Sequence, residues 1–416
     1  MTAYRLNCQR CGEELAPTAR PDCSQGHSTV TFSYLTDGGP GSAPDASRVG
    51  SMWRYRALMP VAPAVAEVSL GEGWTPLIDV PRAASWVGLD ALSIKSEAAN
   101  PTGSFKDRCA SLAMTKAREF GATGVAIASA GNAGAAAAAY AARAAIPCWV
   151  IVPDSTPMER LTQIRITGAH VVAIRGTVND CVEVVRAMRD ELGLYPVTTA
   201  VSENPYQGEG PRSIAFELFE QLQGVPDWIV APVGGGGLLS AIGRGWRELL
   251  DRGIIGAIPR LAAAQPTGCA PLVRAWDDGV DPFAIIPWGP PTSIASSIAD
   301  PFPLDGWSAL NALRSSSGTA IAVTDDAIRA AERHLAESEG LFIEPASACA
   351  LAGVRALVES GAITQSARVV VIATGAGFKD LGVAAGLNGE RAATEKLEPA
   401  IADLVARTTS RPRRPA

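Results

Sequence analysis

Lys106 stands in the run NPTGSFKDR, residues 100–108, and its amine is the side chain best placed here for covalent chemistry. Asn100-Pro101 and Gly103-Ser104 spell a tight turn with a capping hydroxyl, and CASLAMTKARE after it has helical spacing, so Lys106 is expected at the mouth of a helix. An amine beside apolar Phe105 loses part of its hydration, which lowers its pKa and suits it to Schiff-base chemistry. The plain alternative is a solvated lysine in the first turn of a surface helix. The run WIVAPV, then Gly234, Gly235, Gly236 and Gly237, then LLSAIGRGWRELL, reads as strand, glycine loop and helix. Four glycines let successive N–H groups converge on an anion, and the following helix adds its positive end. No Lys-Ser/Thr pair follows and the dinucleotide glycine spacing fails, which leaves a small phosphate monoester, or a loop needed only for close packing. In VAIASAGNAG, residues 125–134, Ser129, Ala130, Gly131 and Asn132 fall at a helix start. Their hydroxyl and amides can hold a carboxylate while Asn132 donates, although an Asn-capped alanine helix would use the same residues. VVVIATGAGFKD, residues 369–380, ends a strand at Thr374-Gly375 and sets a hydroxyl at its tip.

The elements that must position these groups follow from periodicity. From about residue 90, short apolar runs (LSIK, VAIAS, CWVIVP, HVVAI, WIVAPV, RLAAAQ, ARVVVIAT) are separated by helix-length segments such as PMERLTQIRITGA, VNDCVEVVRAMRDELG and GEGPRSIAFELFEQL. Strands apolar on both faces, alternating with helices, predict an α/β fold of open, mostly parallel sheets covered by helices, with sites at the carboxyl ends of strands. Ahead of this body, CQRCGEELAPTARPDCSQGH at residues 8–27 offers Cys8, Cys11, Cys23 and His27. That spacing suits a small zinc ribbon with two ligands on each of two turns, and a degenerate ribbon that folds without metal is the other reading. A Gly/Pro/Ser linker (37–50), an arm (MWRYRALMP) and the turn GEGWTPL (71–77) lead into the main body.

With 416 residues, 47% hydrophobic and 19% charged, the chain can bury more than one core. A net charge of −6 argues against nucleic acid as main partner. Residues 133–153 are the one candidate membrane span, and Arg143, Pro147 and the alanine-rich first half make them a buried helix and strand instead. No signal peptide is read at the start, and Cys109, Cys148, Cys181, Cys269 and Cys349 sit in apolar contexts, so a soluble, cytoplasmic protein with reduced thiols is expected. His170 and His334 lie in strand-like and helical runs and are read as structural.

A reactive lysine, a small phosphate cup, an amide-and-Asn loop and a hydroxyl at a strand tip are the parts of a pyridoxal phosphate site. NPTGSFKDR, the Ser-x-Gly-Asn loop, the tetraglycine loop, IEPASA (343–348) and the Thr-Gly-x-Gly-x-Lys-Asp run together resemble the fold-type II pyridoxal phosphate enzymes of the tryptophan synthase β-like superfamily, over roughly residues 65–385. With GEGWTPL and the N-terminal ribbon, the resemblance is strongest to threonine synthase and its relatives. It implies that Lys106 carries the cofactor as a Schiff base and shuttles protons. Asn132 would face the pyridine hydroxyl, Gly234 through Leu238 the phosphate, and Thr374 the ring nitrogen. Ser129, Ala130 and Gly131, with Ser104 and Ser202, would meet the substrate.

The departures bear on substrate. Where threonine synthases carry Thr after the Ser-x-Gly-Asn loop and an Asn-Ser-x-Asn-Pro-x-Arg loop later, this chain has Ala133 and the run from Val201 to Gln207, of which Ser202 and Asn204-Pro205 survive. A substrate phosphate would lose charge-assisted bonds of roughly 1.5–3 kcal/mol each, and Glu203 is expected to repel it. The expected function is therefore elimination or replacement of a β or γ substituent on a small L-amino acid, with threonine synthase acting on O-phosphohomoserine as the alternative. A non-catalytic relative is disfavoured by the presence of Lys106, and a nucleotide-binding dehydrogenase by the missing fingerprint. The expected parts are a ribbon (1–36), linker and arm (37–75), a large cofactor domain (76–108 with 206–390), a small mobile domain (109–205) and a C-terminal helix with basic tail (391–416). The family resemblance further implies a homodimer, while the net charge and the absence of a convincing span give neither nucleic acid nor membrane as expected partner.

Overall fold

The computed structural model describes residues 4–35, apart from 22 and 28, and residues 50–387. The linker read at 37–50, but for Gly50, and the helix and tail read at 391–416 lie outside the described residues.

Strands β1 (Tyr4–Cys8), β2 (Glu14–Leu15) and β3 (Val30–Tyr34) form an antiparallel sheet in the order β2-β1-β3. Next come β4 (Leu77–Asp79) and β5 (Leu92–Ser96), which belong to a sheet completed only later. Between them and its other strands the chain builds β6 (Val125–Ala128), β7 (Cys148–Pro153), β8 (His170–Ile174) and β9 (Tyr195–Pro196), a parallel sheet ordered β8-β7-β6-β9. Finally β10 (Trp228–Pro232), β11 (Arg260–Pro266), β12 (Thr319–Val323) and β13 (Val369–Ala373) complete the order β12-β11-β10-β13-β5-β4, parallel except for the antiparallel edge strand β4. Central β10 and β13 are buried throughout, as their unbroken apolar runs require.

Small residues let helices approach these sheets closely. Gly353 of helix Pro345–Glu359 would place a Cβ 3.0 Å from Ala264 of β11, so the helix lies down on the sheet only without a side chain there. Residues 133–153 are helix Asn132–Ala144 followed by β7, as expected, and no helix among the described residues is long and apolar enough to cross a membrane. His170 stacks on Trp149 and His334 on Trp86, consistent with structural roles. All eight cysteines are free, and the five expected core thiols are buried.

Two polar clusters hold the site's foundation. Glu72 of GEGWTPL is fully buried and accepts from Trp53 Nε1, Ser111 Oγ and Tyr140 OH at 2.8, 2.5 and 2.8 Å, tying the arm to two helices. Its neighbour Gly73 has φ +91°, and a Cβ there would meet Met52 N at 2.4 Å. The second cluster joins Lys95, Glu97, Arg108 and Glu217, all with fully buried side chains. Arg108 Nε bonds Glu97 Oε2 at 2.7 Å, Arg108 Nη1 bonds Glu217 Oε1 at 2.5 Å, and Lys95 Nζ bonds Glu217 Oε2 at 2.7 Å. Arg108 lies in the first turn of helix Lys106–Glu119, so this cluster fixes the lysine-bearing turn.

Candidate active site

Lys106 opens helix Lys106–Glu119, as the spacing predicts. The expected hydroxyl cap is not made: Phe105 occupies the cap position without a side-chain bond, and Ser104 Oγ is buried with no partner among the described residues. Asp107 pins the turn instead, accepting from Thr102 N at 2.9 Å and Thr102 Oγ1 at 2.7 Å. Burial pushes the Asp107 carboxyl up to about 6, against the pull of those bonds. Gly103 has φ +81°, the left-handed conformation the turn demands.

Of the five lysines in the sequence, four are described, and their surroundings separate them. Lys95 is paired with Glu217, Lys116 with Glu119, and Lys379 donates to Thr102 O at 2.6 Å. Lys106 Nζ is half-buried, lies 4.7 Å from the Phe105 ring centroid and bonds the Thr199 hydroxyl at 3.1 Å. Among the described lysines it is the one whose amine meets a neutral hydroxyl in place of a carboxylate or carbonyl.

The turn is laced to the far end of the chain. Phe105 N donates to Thr374 O at 3.0 Å, Ser104 and Gly375 form an antiparallel bridge, and Ala376 N donates to Gly103 O at 3.0 Å. Thr374 thus lies beside Lys106 at the carboxyl end of β13. Its hydroxyl donates to Glu344 Oε1 at 3.2 Å and meets Ser347 Oγ at 3.0 Å, while Asn132 Nδ2 donates to Glu344 Oε2 at 3.0 Å. Glu344 therefore joins the two groups that the sequence set on one site from opposite ends of the chain. Burial pushes its carboxyl upward, against the Asn132 and Thr374 bonds. Gly375 makes room for it, since a Cβ there would lie 2.5 Å from Glu344 Oε1.

The tetraglycine loop leaves β10 and enters helix Gly237–Asp251. Gly236 has φ +98°, and a Cβ on it would lie 2.7 Å from Asp305 O; on Gly237 it would lie 2.9 Å from Asp305 Oδ2. Any side chain would fill the cradle. Among the described residues the first N–H of this helix to find a carbonyl is that of Ser240, bonded to Gly236 O at 3.1 Å, so the amides from Gly237 through Leu239 remain as the helix's open donors. Asp305 is buried, its carboxyl accepts from Val201 N at 3.0 Å, and burial pushes it up to about 6 with Lys106 and Arg244 pulling the other way.

Ser129 Oγ accepts from Gly131 N at 3.2 Å in the loop before helix Asn132–Ala144. Gly134 allows that loop, because its Cβ would lie 2.1 Å from Ser129 O. Ala130 and Ala133 are half-buried in the same turn, and Ser202 is exposed in the turn after Thr199. Glu203, expected to repel an anion, is instead neutralised by Arg186 at 2.5 Å and Arg189 at 3.9 Å. Buried Gln207 donates to Thr198 O at 3.0 Å. Cys8, Cys11, Cys23 and His27 come together in the N-terminal three-stranded module. Sequence reasoning missed Thr199, Ser347, Asp305 and the role of Glu344; the IEPASA run was the one signal for Glu344 and Ser347.

The residues present fit pyridoxal phosphate: an amine beside a hydroxyl, a glycine cradle no side chain could enter, and a hydroxyl and carboxamide on a shared carboxylate. A family model described as pyridoxal-phosphate dependent enzyme matches residues 68–375. Threonine synthase of Methanocaldococcus jannaschii is 40% identical over 79% of this chain and 80% of its own, and that of Methanosarcina acetivorans 41% over the same shares. Maize serine racemase superposes with a TM-score of 0.64 at 26% identity, covering 74% of this chain and 90% of its own.

Proposed function

The chain belongs to the pyridoxal-phosphate dependent enzymes and is a threonine-synthase-like lyase, and from that premise we propose that it eliminates or replaces a β or γ substituent of a small L-amino acid, with Lys106 as the base. The observation that carries this reading is the joining of the Lys106 turn to Thr374, and of Thr374 through Glu344 to Asn132. Lys106 Nζ would hold the cofactor's aldehyde carbon, the amides of Gly234, Gly235, Gly236, Gly237 and Leu238 its phosphate, and Asn132 and Thr374 its ring. When bound, the cofactor supplies an electron sink for charge developing at the substrate α-carbon. Ser129, Ala130 and Gly131 hold the substrate carboxylate at the start of helix Asn132–Ala144, where the helix dipole favours a negative charge. Ser104 and Ser202 border the same space. Lys106 Nζ, freed when the substrate's own amino group replaces it on the aldehyde carbon, would then take the α-proton, with the Thr199 hydroxyl 3.1 Å away to orient that amine. A neutral hydroxyl at Thr374, in place of a carboxylate, would leave the cofactor's ring nitrogen without a proton and so would favour loss of a leaving group over a long-lived carbanion.

The leaving group is read from what the cradle lacks. Ala133 lacks the hydroxyl, Val201 the carboxamide and Gln207 the guanidinium that a substrate phosphate dianion would need at those three positions. A second reading, threonine synthase acting on O-phosphohomoserine, is favoured by the names of the relatives. Both readings go with a homodimer in the cytoplasm that needs neither membrane nor nucleic acid, in line with the family resemblance and a net charge of −6. The test is to give cofactor-loaded protein O-phosphohomoserine, serine, threonine and 2,3-diaminopropionate in parallel, following phosphate, ammonia and keto-acid release. Keto acid from one of the last three with O-phosphohomoserine inert supports the first reading; phosphate release with threonine as product selects the second.

A further inference from the structure

The N-terminal module has no part in the chemistry above, yet it gathers three thiols and an imidazole. We propose that Cys8, Cys11, Cys23 and His27 bind one zinc ion in a closed tetrahedral site, and that this ion fastens the wall of the active site that carries Thr199.

The geometry is that of a metal shell. One ligand atom from each of the four residues lies within 4.8 Å of every other. Cys11 Sγ is 3.5 Å from Cys23 Sγ, Cys8 Sγ is 3.5 Å from His27 Nδ1, and Cys23 Sγ is 3.7 Å from His27 Nδ1. With Zn–S near about 2.3 Å and Zn–N near about 2.0–2.1 Å, a regular tetrahedron has S···S edges of about 3.8 Å and S···N edges of about 3.5 Å. The observed separations match those edges. No pair has closed into a disulfide, and all three thiols are free. The two ligand turns are braced against each other: Glu13, just after the first knuckle, accepts from Ser24 N at 3.0 Å and Ser24 Oγ at 2.8 Å in the second. Three thiolates and an imidazole leave no open position, so the ion is structural and soft-ligand zinc is the expected occupant.

What the module rests on gives the ion its consequence. β1 and β3 face the helix that begins at Lys106 and the segment following Thr199. Lys116 Nζ donates to Tyr4 OH at 3.0 Å, Tyr34 OH donates to Glu209 Oε2 at 2.8 Å, and the fully buried Tyr206 donates to Thr18 O at 2.7 Å. Phe32 meets the Tyr206 ring edge-on at 5.7 Å, and the Arg212 guanidinium lies 4.2 Å from the centroid of Tyr34. Among the described residues the module's buried hydrophobic cluster is Tyr4, Leu6, Cys8, Leu15, Cys23 and Val30, closed by Tyr206. A core that small needs a staple, and the metal supplies it.

The test is made on the full-length, cofactor-loaded protein purified in reducing buffer without chelator. Metal analysis is expected to find about one zinc per chain, and cobalt exchanged into the site to give thiolate charge-transfer and intense tetrahedral bands. Cys11→Ala and His27→Ala each should lose zinc to a competing chelator at least about tenfold more readily, with Cys109→Ser as an unaffected control. Should those variants fail to fold, the wild-type stoichiometry and the cobalt spectrum decide alone. Zinc below about a tenth of an equivalent in protein that retains its cofactor, or weak octahedral cobalt bands, would overturn the site. Stripping zinc is also expected to speed amide exchange in residues 199–209 while leaving β12 unchanged; equal exchange in that segment overturns the fastening role.

Discussion

Glu217→Gln probes how the lysine-bearing turn is held. In the native protein Lys95 and Arg108 face Glu97 and Glu217, two charges of each sign with side chains fully removed from water. The substitution leaves two cations against one anion. Taking one member from a buried ion pair costs about 3–5 kcal/mol, because the charge left behind has no hydration and no partner. The Glu217 carboxyl gives a second route to the figure. Burial pushes it up, yet Arg108 and then Lys95 overcome this and hold it down to about 2, from 4.5. A net shift of that size corresponds to about 3 kcal/mol of stabilisation of the charged carboxylate by folding. The sign follows from the depression: this stability is fully present above about pH 4.5 and is lost as pH falls toward about 2. Urea unfolding of the cofactor-free protein at neutral pH should therefore show a loss of about 3 kcal/mol or more for Glu217→Gln, shrinking as the buffer is taken below about pH 4. Adding Lys95→Met restores neutrality and should recover part of the loss. A cost below about 1 kcal/mol, or one that does not change with pH, would show that the cluster does not hold the turn.

Two further outcomes follow from the same structure. Gly236→Ala puts a side chain at φ +98° with its Cβ 2.7 Å from Asp305 O, so the cofactor should bind at least about tenfold more weakly by equilibrium titration, while far-ultraviolet circular dichroism is retained. Glu332 is 1% exposed, both its oxygens are without partners among the described residues, and burial followed by the nearby Asp380 raises its carboxyl to about 7. A raised carboxyl favours the native state below its unfolded pKa and forfeits that advantage as pH rises through the folded one. Thermal or urea stability should thus fall in the wild type, relative to Glu332→Gln, by about 2–3 kcal/mol between about pH 4.5 and pH 8; parallel curves would refute the assignment.

Much of the site was legible because its parts sit where one element ends and another begins. Lys106, Asn132, the tetraglycine loop and Thr374 each follow a break from apolar run to turn, and the strands before them read directly from period and burial. Weak local signals hid the rest. β12 is a partly exposed edge strand of five residues, and β9 has two, too short for any periodicity. Thr199 is one hydroxyl in a run of irregular chain, and Asp305 reaches the glycine loop from far along the sequence, its N–H donating to Gly235 O at 2.8 Å. Partnerships between distant residues were also hidden. Glu203 reads as a free negative charge until Arg186, on the preceding helix, is seen to neutralise it. Ser104 reads as a cap, yet no side-chain cap bond is made, and Asp107 holds the turn instead because its carboxylate accepts both the N–H and the hydroxyl of Thr102.

The central claim is that Lys106, among five lysines, is the one that carries the cofactor. Borohydride reduction of the loaded protein, proteolysis and mass spectrometry test it directly. The account predicts the reduced pyridoxyl phosphate mass on the peptide containing Lys106, and loss of both label and visible absorption in Lys106→Ala. Label on Lys95, Lys116, Lys379 or Lys396, or an unchanged absorption band in the variant, would contradict it.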